Sequence, residues 1–173
     1  MRDVLDERIL DAVLGSVRCL VIRRVGILAE LCARIMVALT QALEEELGRE
    51  KGFQVARRAF EKLAEEKGSR PPAPDEDRSL RAFCAALEEG CIGTQNWTRV
   101  EDRPDRVGYR FTRCVWAEFF QELGRTDVGH WFCDGDASGA RAFNPRIGFQ
   151  RTQVLMDGDA CCDHLYYLEP EEA

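Results

Sequence analysis

Chemistry-bearing side chains in this chain concentrate between Cys114 and Asp163, a stretch holding four of the eight cysteines. Cys114 and Glu118 stand four apart, so on a helix a thiol and a carboxylate share one face. A carboxylate raises a neighbouring thiol's pKa, which suits Glu118 to acid/base work better than to activating the cysteine. In the segment HWFCDGD a helical turn groups His130 with Cys133 and Asp134, and Cys133 with Asp136. Thiolate, imidazole and carboxylate are all zinc ligands. The spacing matches no closed zinc pattern and the chain has no CxxC, so a divalent metal rests on ligand type alone. Asp134 and Asp136 around Gly135 suit a turn equally well. His164 is a weaker acid/base candidate, because its neighbour Asp163 points to the opposite face of a strand.

Arg151 stands among apolar residues. Arg146 to Met156 and Ala160 to Leu168 read as two strands joined at Asp157-Gly158-Asp159, since Asp-Gly between alternating runs favours a tight hairpin. Pairing outward from Met156 opposite Asp159 sets Gln153 opposite Cys162 and Arg151 opposite His164. Alternation then puts Phe149, Arg151 and Leu155 on one sheet face with Cys162, His164 and Tyr166. An unpaired guanidinium there is too costly, so Arg151 must meet a fixed anion. That anion is either a structural partner, Asp136 or Glu118, or a substrate carboxylate held in bidentate fashion.

The elements that position these groups follow from periodicity. Residues 2–14 look helical, with Gly15-Ser16 as an interruption. From Ile27, apolar residues at Leu28, Leu31, Ile35, Leu39, Leu43 and Leu47 recur at helical spacing until Gly48, and mark a core-facing stripe. Helices over 53–67 and from the N-cap Ser79 to Gly90 flank a proline-rich loop. The period then shortens: 95–101 and 107–111 read as strands around the turn Arg103-Pro104-Asp105. A helix over 117–123 closes at Gly124, and Thr126 can cap another short helix that its glycines weaken. Helices first and antiparallel strands later give an α+β fold, in one domain over 1–173 with a helical part (1–91) and a strand/helix part (92–173) carrying the site.

Composition narrows the function classes. A formal charge of −7 with interspersed signs provides no basic face, which argues against nucleic acid as partner. The N-terminus, MRDVLDERIL, lacks the pattern of a secretory signal, so the thiols read as buried, metal-bound or reactive in a reducing cytoplasm. Charges interrupt Val17 to Leu43 well short of the ~20 apolar residues of a membrane span, and we read it as a core helix. The dinucleotide, P-loop, zincin and serine-hydrolase signatures are missing. The partner expected is a small molecule, with a homodimer as the commonest assembly open to the long helix.

Taken together, Cys114-x-x-Ala117-Glu118 running into Glu122-Leu123-Gly124, Cys133-Asp134-Gly135-Asp136, Phe143-Asn144-Pro145, and Arg151-Thr152 followed by Gly158-Asp159-x-Cys161-Cys162-Asp163-His164 resemble the L-2-amino-thiazoline-4-carboxylic acid hydrolase family. The looser Glu46-Leu47-Gly48-x-Glu50-Lys51-Gly52 extends the match. The resemblance implies hydrolytic opening of a cyclic amidine-like C=N–S carbon to a carbamoyl-cysteine. It makes Arg151, Thr152 and Asp163 candidates for binding substrate. A thiolate of Cys114 or Cys133 attacks the ring carbon, or Asp136 or Glu118 activates water. His164 or a metal meets the departing group, and Cys162 lies beside them. The competing expectation is a small-molecule or metal-binding sensor that uses the same cysteine/acid cluster without turnover.

Overall fold

A glycine in the left-handed region separates the two longest helices. Gly48 (φ 83°) ends α1, Asp3–Leu47, and α2, Arg49–Gly68, turns straight back along it. The computed structural model describes residues 3–68 and 77–170, with side chains described over 24–63 and 77–170. Gly52 permits the return: a Cβ there would lie 2.3–2.4 Å from backbone atoms of Leu43 and Glu44. The expected break at Gly15-Ser16 does not occur, because α1 continues through both residues. The proline-rich segment lies outside the described residues as far as position 76.

After α3, Leu80–Cys91, come β1, Gln95–Arg103, and β2, Arg106–Cys114. The Ser79 side chain accepts a hydrogen bond from the Ala82 amide and caps α3, as the sequence predicts. Two helices follow, α4, Val115–Glu122, and α5, Thr126–Phe143. Then β3, Ile147–Gln150, a single 3₁₀ turn over Leu155–Asp157, and β4, Cys162–Leu168, complete the chain. The four strands form an antiparallel sheet in the order β1-β2-β4-β3. With its leading helices, this is an α+β fold.

Helix α5 is longer than predicted, 18 residues. Gly129 is the reason one of its glycines helps rather than hurts. A Cβ there would meet the Phe120 Cβ at 2.9 Å and the Met156 side chain at 2.6 Å, so its absence lets α4 and the 3₁₀ turn pack against α5.

Two apolar cores result. Leu80, Cys84, Tyr109, Ile147 and Tyr166 unite α3 and the C-terminal half of α5 with one sheet face. Ala33, Val37, Phe120, Val128 and Trp131 unite α1 with α4 and α5. Leu155 packs against both.

The inward side of α1 is therefore its small-residue side: Ala29, Ala33, Val37 and Thr40 are buried. Ile27, Leu28, Leu31, Ile35 and Leu39, expected to face the core, are 48–61 % exposed. Small side chains let α1 approach α4 and α5 closely, and that packing overrides the larger apolar stripe.

The C-terminal hairpin keeps the expected register but not the expected length. Ile147 pairs with Leu168 and Phe149 with Tyr166, which continues the predicted pairing. Pairing stops at Gln150 with Leu165. Beyond it the Asp163 carboxylate accepts hydrogen bonds from the amides of Thr152 and Gln153 (2.8 and 2.6 Å) and from the Thr152 hydroxyl. Those amides leave the ladder for a side chain, and residues 151–161 arch away from the sheet instead of extending it.

Candidate functional site

The two cores meet around a cavity of about 80 Å³. Each element contributes to its wall for a local reason. Strand β2 ends at Cys114, which keeps an extended conformation (φ −141°, ψ 115°) and serves as N-cap of α4. Phe132, Cys133 and Asp136 share the face of α5 that closes the cavity. The arch supplies Arg151, Leu155 and Met156, and β4 supplies Cys162 and His164. Four thiols line this one space: Cys91, Cys114, Cys133 and Cys162.

Asp136 is the polar centre. Its Oδ2 accepts a hydrogen bond from Arg151 Nη1 at 2.7 Å and lies 3.7 Å from His164 Nε2. Arg151 Nη1 also reaches the Cys133 carbonyl at 3.4 Å. The Arg151 side chain is 14 % exposed and its guanidinium sits 5.6 Å from the Phe149 ring centre. Of the anions the sequence offered, Asp136 is the one that meets it. Burial raises Asp136 to about 6, and the Arg151 cation holds it from going higher.

His164 is lowered to about 4, first by burial and then by the Arg151 charge, so it is neutral at pH 7. The Tyr166 hydroxyl lies 3.3 Å from His164 Nδ1. Burial raises Tyr166 well above its ordinary pKa, so the phenol keeps its proton and can donate it to Nδ1. In that tautomer the ring proton lies on Nε2, a buried atom with no hydrogen-bond partner. A buried orphan donor costs stability unless a ligand accepts from it.

The thiols are held protonated. Burial pushes Cys133 up to about 12, with Asp136 adding to the rise, and Cys91 up to about 12 as well. Cys114 is raised by burial against the opposing pull of the Ala117 and Trp116 amides, and Cys162 is raised by burial too. Neither Cys114 nor Cys133 is a thiolate by itself at neutral pH, which favours water of the two nucleophiles the sequence leaves open.

Several predicted site residues stand elsewhere. Cys114 is not helical, so it does not pair with Glu118. That carboxylate is 47 % exposed and takes both bonds of an Arg113 fork at 2.8 Å. Thr152 in the arch and Asp163 on β4 bond one another and are not part of the cavity wall. The expected metal grouping is dispersed: His130 Nε2 lies 2.7 Å from Asp157, and Asp134 pairs with Arg57 at 3.3 Å. Among the described residues no group of three or more His, Cys, Asp or Glu side chains is arranged to hold a metal ion.

Among the wall residues that sequence reasoning did not name as site candidates are Gln95, Cys91 and Trp116. Gln95 opens β1 opposite Cys114, and its Nε2 approaches the Cys114 sulfur at 4.0 Å. Only its place opposite Cys114 across a strand pair signals it. Trp116 stacks on Phe132 with ring centres 4.4 Å apart and walls the cavity on the α4 side.

Comparison with known proteins places this geometry. No curated protein sequence matches the chain. Among solved structures, a trafficking protein particle complex subunit 3 from Naegleria fowleri, covalently bound to palmitic acid, is similar at 14% sequence identity and a TM-score of 0.41, over 83% of this chain and 96% of that one. The likeness is too distant to say more than that. The family model for L-2-amino-thiazoline-4-carboxylic acid hydrolase matches residues 29–166, from the small-residue face of α1 to Tyr166 in the cavity-bearing sheet. That span holds every residue of the cavity wall, and the chain belongs to the L-2-amino-thiazoline-4-carboxylic acid hydrolase family.

Proposed function

We propose that the cavity hydrolyses a small cyclic amidine of the 2-amino-thiazoline-4-carboxylate type, with Asp136 as general base and then general acid. Family membership supplies the hydrolase role. The substrate and the division of labour are inferred from the site.

The reaction adds water to the ring carbon between nitrogen and sulfur. Asp136 takes one water proton as the new C–O bond forms and the C=N π pair moves onto the ring nitrogen. It returns that proton to sulfur as the C–S bond breaks, and the hydroxyl proton moves to the ring nitrogen as the carbonyl forms. The product is a carbamoyl-cysteine with a free thiol, and every atom of the water is accounted for. A carboxyl near pH 6 is suited to both transfers, because it gains and loses a proton close to neutrality.

Arg151 orients Asp136 through Nη1 and keeps further N–H donors for a substrate carboxylate. The Nε2–H of His164 offers a hydrogen bond to the charge developing on the reacting group. Water fits as nucleophile better than a cysteine, since burial holds Cys133 at about 12.

The single observation carrying this proposal is the Asp136 carboxylate held in one cavity between the Arg151 guanidinium at 2.7 Å and His164 Nε2 at 3.7 Å. The test is turnover of 2-amino-thiazoline-4-carboxylate, followed as carbamoyl-cysteine by chromatography. Asp136→Asn is expected to lose on the order of 10²–10⁴-fold in kcat, as for other removed general bases. Glu118→Gln and Cys133→Ser are expected to stay near wild type. Wild-type rates in Asp136→Asn refute the assignment. Binding of the compound without turnover by the wild-type protein favours a sensor on the same site.

A further inference from the structure

We infer that the outward face of α1 is a homodimer interface, in which two copies of this chain pair their first helices. Ile27, Leu28, Leu31, Ile35 and Leu39 cover successive turns of one helix face, opposite the side buried against α4 and α5. They hold five of the nine large apolar side chains exposed among the described residues. Side chains of this size, about half exposed, leave on the order of 500 Å² of apolar surface in water. That is the size at which an apolar patch on a monomer is often functional, and it supplies more than half of the ~800 Å² per partner of a standard interface.

The sequence pattern selects a second α1 as the occupant. Ile27, Leu31, Ile35 and Leu39 recur every four residues along one exposed face, a ridge that the same ridge of a two-fold-related copy can meet side by side. The backbone is helical throughout this range. A two-fold axis brings the same stripe from both copies together and closes the assembly.

The same helix is long and apolar enough to cross a bilayer over Arg24–Leu47, by length and composition. Two features oppose that fate. Ala33, Val37 and Thr40 are buried in the domain, so spanning a bilayer would mean tearing α1 from α4 and α5. A chain of net charge −7 also gains nothing from an anionic lipid surface.

Analytical ultracentrifugation of the full chain across a concentration series tests the pairing. The expected species is twice the 19.7 kDa chain mass. Leu31→Glu with Ile35→Glu is expected to weaken association by roughly 30-fold or more, as for buried apolar anchors, while circular dichroism keeps the helical signal. Amide exchange of the wild-type protein at two concentrations gives a second readout that needs no variant: residues 27–39 slow as the dimer fills. A wild-type monomer at every concentration overturns the inference. So does a dimer whose association the double variant leaves intact, or one with no concentration-dependent protection over 27–39. Sedimentation of a monomeric wild type with phosphatidylserine vesicles overturns it in favour of a lipid surface.

Discussion

Asp136 and His164 pull the pH dependence of stability in opposite directions, and removing either one exposes the other. His164 titrates at about 4 in the folded protein against an ordinary value of 6.5. Between those values the unfolded chain binds more protons, so stability present above pH 6.5 is lost as pH falls toward 4. At 1.36 kcal/mol per pH unit the loss is about 3 kcal/mol. Asp136 titrates at about 6 against 3.8, so there the folded protein binds more protons. Its contribution is present below pH 3.8 and lost as pH rises through 6, again by about 3 kcal/mol. Over pH 6.5 to 4 the two effects nearly cancel. Urea unfolding of wild type, His164→Gln and Asp136→Asn, measured at pH 6.8, 5.5 and 4.2, separates them. Subtracting wild type removes the carboxylates common to all three proteins. His164→Gln should gain about 3 kcal/mol relative to wild type on acidification, and Asp136→Asn should lose a similar amount. Difference curves of the same sign, or both flat, would refute the opposed burial of these two groups.

Two further outcomes follow from the same coordinates. Asp163→Ala removes an ionised acceptor from the Thr152 and Gln153 amides and should cost about 2–3 kcal/mol, with new proteolytic cleavage confined to 151–161; thermal unfolding and peptide mapping check both. Native thiol titration at pH 7 should leave Cys91 and Cys133 silent, and fast labelling of Cys133 would restore it as a nucleophile.

What the sequence made legible is what alternation and capping determine. The pairing of β3 with β4 was readable because buried faces tolerate no one-residue slip, and Ser79 announced α3 by its side-chain chemistry. The need of Arg151 for an anion was readable from its apolar surroundings, with Asp136 among the two residues named. The arch was not readable, because one carboxylate on β4 captures amides that the local pattern assigns to a ladder. Grouping Cys114 with Glu118 failed over a single boundary residue: Cys114 belongs to the end of β2, and helical spacing starts after it. The inward side of α1 was misread because close packing of small side chains outweighed the larger stripe, and periodicity alone does not rank two faces that are both apolar. Gln95 was invisible because it is aligned with the cavity only across a strand pair.

The latch formed by Asp163 also bears on how such a cavity changes over generations. Arg151, Leu155 and Met156 reach the ligand space from a segment tied to the sheet largely by side-chain hydrogen bonds, while the strands on either side keep their own pairing. Exchanges in this segment can therefore resize one wall without disturbing strand order, within the limit set by Leu155 and Met156, which also fill the cores. A single scaffold gains a replaceable panel, and substrates of different bulk become accessible to descendants that share every strand.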